Sequence, residues 1–146
     1  MASTVMRLKG LADIGVGVIL ALKPEIIYES NATKALGRLT GFGLSSAKTA
    51  PGFNHAIACM VVAVGVGSVV ASFQGRAARF PIVIMNATWG LLAGLTCVFT
   101  PHLATATMVM TALNTGVYTV VMGILGMREG SKSAGKSGSG LSGKKD

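Results

Sequence analysis

Four stretches of this chain, residues 8–27, 55–73, 80–99 and 103–127, are apolar almost without interruption. Each is near the ~20 residues that a helix needs to cross a hydrocarbon core of about 30 Å. Lipid offers no partners to backbone N–H and C=O groups, so such stretches satisfy them internally as helices. The closed-barrel alternative needs regular in–out alternation, which these stretches lack. Only 12% of residues are charged and 51% are hydrophobic, with a mean hydropathy of +0.62. A water-soluble domain would carry about a quarter charged residues to cover its outside. The expectation is an all-α integral membrane protein, a four-helix bundle of up-down-up-down order. It has a short N-terminus (1–7), a transmembrane domain (8–127) and a basic tail (128–146).

The polar segments set the expected orientation. With a cytoplasmic N-terminus, nine basic residues share that side: Arg7, Lys9, Arg76, Arg79, Arg128, Lys132, Lys136, Lys144 and Lys145. The other side holds four, Lys23, Lys34, Arg38 and Lys48. The excess of basic charge stays in the cytoplasm, which places both termini there. The first apolar stretch has the n-region of a signal peptide, but no small-x-small cleavage site follows it, so a retained helix is expected. The connection 28–54 is then lumenal, with a short interfacial helix over 32–39 capped by Ser30 or Asn31. Residues 74–79 and 100–103 are tight turns. The tail from Gly130 is rich in Gly, Ser and Lys and has the composition of a flexible segment. The pI near 10.0 follows from topology and this tail. No aromatic platform accompanies the basic residues, so nucleic acid is not an expected partner. The lipid bilayer is, in the endoplasmic reticulum or another internal membrane.

Asn31-Ala32-Thr33 and Asn86-Ala87-Thr88 both match the N-glycosylation sequon. Asn31 falls in the lumenal connection and is the candidate acceptor. Asn86 lies inside an apolar stretch, beyond reach of a transferase. Small residues, with Asp13 and Asn86 among them, share helix faces at spacings of three and four: Gly10, Asp13, Gly17 and Ala21; Ala63 and Gly67 beside Gly65; Asn86, Gly90 and Gly94; Ala112 and Gly116, then Gly123 a further two turns on. Such stripes let helix backbones approach closely, which drives association in lipid. They point to packing within the chain, and a leftover small face points to a homo-oligomer or a membrane-protein partner.

Asp13 is the most informative intramembrane residue. A carboxylate at the centre of a membrane helix costs about 2.5–3.5 kcal/mol on insertion scales, so it is expected to face other helices. Asn86 enters its helix at a similar depth and is the expected hydrogen-bond partner. Asn114 and Tyr118 follow Thr107, Thr111 and Thr115 along one stripe. The threonines can bond their own helix's carbonyls, whereas Asn114 and Tyr118 need other partners. Asp13, Asn86, Asn114 and Tyr118 form the candidate intramembrane cluster. It is either a clamp on helix register or an acid/base site with Asp13 exchanging a proton with a lipophilic substrate. On the opposite side His55, Cys59, Cys97 and His102 suit zinc in type. They lack a CxxC or HExxH spacing, so no metal and no cofactor is expected, and a Cys59–Cys97 disulfide depends on geometry.

The stretch "RLKGLADIGVGVILALKP", the four short-looped apolar segments and the basic cytoplasmic end together resemble the DoxX-like small membrane proteins. They also resemble four-helix proteins of unknown function from fungi, some of which accompany secondary-metabolite pathways. The resemblance spans residues 7–127 and rests on hydropathy and architecture. It implies an accessory or tailoring membrane protein acting near a lipophilic intermediate, and it transfers no functional residue. Three functions stay open. The first is a structural, assembly or accessory role. The second is a membrane-embedded enzyme for isomerisation, cyclisation or oxidation of a lipophilic metabolite. The third is an oligomeric small-molecule transporter.

Overall fold

A computed structural model describes residues 1–138. The described chain is all-helical. Its order is α1 (Ala2–Leu22), α2 (Glu25–Tyr28), α3 (Asn31–Thr40), α4 (Pro51–Phe73), α5 (Arg76–Phe99) and α6 (Ala106–Gly138). The only strand-like pairing among these residues is an isolated bridge between Gly43 and Thr105.

Breakers in the sequence set the helix ends. α1 starts at Ala2 and stops at Lys23-Pro24, so it sits earlier than the apolar stretch 8–27 suggests. Proline disfavours a helical residue before it, and residues up to Ile27 pass into the short α2 instead. α4 begins at Pro51, where the missing N–H is harmless in the first turn. Gly75, at φ +90°, makes the turn into α5, a left-handed conformation that other residues avoid. α5 carries Pro81 near its start. Ser30 caps α3, its hydroxyl accepting from the Thr33 N–H at 3.2 Å. α6 continues to Gly138, beyond the Gly130 where a flexible tail is expected. Once nucleated, a helix gains a hydrogen bond for each residue it adds. Residues 139–146 lie outside the described part.

Three helices are long and apolar enough to cross a membrane: Pro51–Phe73, Arg76–Phe99 and Ala106–Glu129. α1 has the length, but Arg7, Lys9 and Asp13 sit within it. α1 lies antiparallel along α4, and α5 antiparallel along α6. The two pairs touch each other more lightly. In the first pair the backbones nearly meet. A Cβ on Gly10 would stand 2.7 Å from the Gly65 carbonyl oxygen, and one on Gly17 2.9 Å from that of Ala58. In the second, Gly90 makes room for Thr115. α1, α4 and α6 contribute to one buried cluster of Ala2, Met6, Ala71, Tyr118 and Met122, and α5 packs Ala78, Ile82 and Val83 against it.

Candidate functional site

Asp13 is at the middle of α1, and its partner is on the same helix. Lys9, one turn earlier, forms an ion pair with it. Both side chains are largely covered, 12% exposed for Lys9 and 14% for Asp13. A lysine placed N-terminal to its carboxylate is the weaker order for a helix pair. Additional support comes from α6, because the Lys9 ammonium lies 5.1 Å from the centre of the Tyr118 ring. Ammonium groups are attracted to the negative face of an aromatic ring. Tyr118 is buried, and its hydroxyl is without a hydrogen-bond partner among the described residues. Asp13, Lys9 and Tyr118 thus connect α1 to α6.

The expected hydrogen bond between Asp13 and Asn86 is not made. Asn86 is buried, and its amide donates to the Ile82 carbonyl of its own helix at 2.9 Å. Lys9 satisfies Asp13 locally, and a helix carbonyl one turn back does the same for Asn86. Asn114 lies elsewhere: it is exposed on the outer side of α6. The threonines of α6 do return their hydroxyls to the helix, Thr111 to Thr107, Thr115 to Thr111 and Thr119 to Thr115. Of the four candidate residues, Asp13 and Tyr118 both border Lys9, Asn86 is buried and bonds within its own helix, and Asn114 is exposed.

The end of the molecule with the α4–α5 turn is basic. Arg79 pairs with Glu129 at 3.3 Å, and Arg76 donates to the Gly126 carbonyl at 3.2 Å. Arg7 stacks on Phe73 at 4.1 Å and donates to the Ser72 hydroxyl. At the other end, hydroxyls gather where Ser45 meets Thr105 and Thr107. There Tyr28 donates to the Asn54 side-chain oxygen, and Asn54 donates to the Leu20 carbonyl at 3.1 Å. That carbonyl belongs to the last turn of α1, which has no internal partner for it. Burial raises the Tyr28 pKa above its ordinary value.

Asn31 is exposed, whereas Thr33 of the same sequon is fully buried and donates to the Ile27 carbonyl at 2.8 Å. His55, Cys59 and His102 are exposed, and both Cys59 and Cys97 are free thiols. Among the described residues no three of His, Cys, Asp and Glu come close enough to hold a metal ion.

Lys9 and Asn54 are the residues that sequence reasoning missed. The first had a visible signal in its four-residue spacing from Asp13; the second had none. Comparison with protein-family models, with curated proteins and with solved structures finds no match for the chain.

Proposed function

We propose that this is a multi-pass membrane protein with a structural, assembly or accessory role, in which α1 is a fourth crossing helix. On this reading Lys9, Asp13 and Tyr118 fasten α1 to α6. The observation that carries the role is that the charge of Asp13 is already met by Lys9 on its own helix, beneath Tyr118 of α6. Membrane placement is supported by what faces outward. Val66, Phe73, Trp89, Leu91, Val117 and Val120 are all exposed, a surface suited to lipid and unfavourable in water. α1 accompanies α4 along its length, from Arg7 beside Ser72 to Leu20 beside Asn54. A helix so paired follows its partner across the bilayer, and its internal ion pair lowers the penalty of its charges. The basic residues then put both termini in the cytoplasm.

One observation favours the embedded enzyme as a second reading. The unpartnered Tyr118 hydroxyl lies in the same locality as an ammonium and a carboxylate, groups able to move a proton. Lys9→Met, Asp13→Asn and the double variant separate the two. Under the structural role, Lys9→Met accumulates several-fold less, because an unpaired aspartate costs up to about 2.5–3.5 kcal/mol in a membrane helix. The double variant recovers, since no charge is then left unpaired. Normal accumulation of the double variant together with a changed lipid or metabolite profile would instead establish the enzyme.

A further inference from the structure

The outer side of α6 carries a feature that neither the bundle nor the Lys9–Asp13–Tyr118 group uses. Met110, Asn114, Val117, Val121 and Ile124 follow one another at spacings of four and three. Asn114 is exposed, as are Val117 (63%), Val121 (36%) and Ile124 (44%). Beside them a shallow groove passes over Ala112, Leu113, Gly116 and Val120, and Gly116 has open space where a Cβ would stand. The inward side of the same helix is separate, being formed by Thr115, Tyr118 and Met122.

Spacing of four and three is that of a coiled-coil seam, in which apolar side chains of two helices interlock. One asparagine in such a seam fixes register and copy number, because its carboxamide must find another polar group. Asn114 makes no hydrogen bond among the described residues. On the membrane reading above, on which this inference rests, it faces hydrocarbon, where an unsatisfied amide is unfavourable. We infer that α6 is the interface of a parallel homodimer in which Asn114 of one copy bonds Asn114 of the second.

A second copy is the occupant that the charge pattern fits. A carboxamide presents a partly positive NH2 beside a partly negative oxygen, so two of them related by a two-fold axis are complementary. Copies of one chain insert in the same orientation. Their α6 helices are therefore parallel, and both Asn114 residues lie at the same depth. Val117 and Val121 then meet their own counterparts along the seam.

The test uses the full chain in phosphatidylcholine vesicles, with energy transfer between donor- and acceptor-labelled copies. Resistance to carbonate extraction is measured on the same membranes. The wild type is expected to associate, Asn114→Ala to dimerise about tenfold more weakly, and Asn114→Gln to retain association. In a Cys59→Ser, Cys97→Ser background, Val117→Cys should cross-link on oxidation, and Leu91→Cys on the exposed side of α5 should not. A carbonate-resistant chain that stays monomeric, or Asn114→Ala associating as well as the wild type, overturns the dimer alone. A Val117→Cys variant no more cross-linked than Leu91→Cys does the same. A chain that washes off the membrane overturns the membrane reading and the dimer with it.

Discussion

The residues that fasten this molecule mostly use the nearest available partner. Lys9 neutralises Asp13 one turn away, Asn86 bonds Ile82, and three threonines of α6 bond the turn before them. The link from Tyr28 through Asn54 to Leu20 is longer in sequence, and it closes the end of α1 against the start of α4. Its phenol must be protonated to donate. Burial raises the Tyr28 pKa, so the folded state holds this proton more tightly than the unfolded chain. The contribution is complete below the unfolded value of about 10 and is lost as pH rises through the higher folded value. Tyr28→Phe should therefore destabilise the protein by about 1 kcal/mol at pH 8. The difference from wild type should fade above pH 10, as read from thermal unfolding in detergent at both pH values.

Between helices, contact distance decides which glycines matter. Gly10 and Gly65 face each other, each blocked by the other's carbonyl oxygen at 2.7 Å. Gly94 has nothing within 4 Å. Gly10→Ala should destabilise by about 1–3 kcal/mol, since the two backbones must separate. Gly94→Ala should be neutral or add up to ~1 kcal/mol, because alanine suits a helix better than glycine. Thermal unfolding of both variants against wild type checks the contrast. Both glycines belong to equally regular stripes in the sequence, so spacing alone does not separate them. The all-helical class was readable from apolar runs, and the start of α3 from Ser30. Which helix packs with which was not, because small residues occur on every long helix. Asp13 was expected to bond Asn86 on another helix, and it pairs with Lys9 on its own. Lys9 stands at the right spacing, but charge pairs four residues apart are usually weak exposed ones. Here the pair is covered, and Tyr118 from α6 lies over the lysine.

Two antiparallel pairs, α1 with α4 and α5 with α6, form the described molecule, joined where Met6, Ala71, Tyr118 and Met122 meet. The same end holds Arg7, Arg76 and Arg79. On the membrane reading this is the cytoplasmic end, and a reporter fused after Asp146 should be active in the cytoplasm and silent in the lumen. A lumenal signal would reverse the orientation without altering the pairing of helices. The ion pair inside α1 also has a meaning in time. Ribosomes add about 5–20 residues per second, so α1 exists for several seconds before α4 and longer before α6. A carboxylate waiting for Asn86 would spend that interval alone in a newly inserted helix. With Lys9 four residues away, α1 carries its own counter-ion as soon as the helix has grown to Asp13, and on the membrane reading it can wait in the bilayer for the helices that later enclose it.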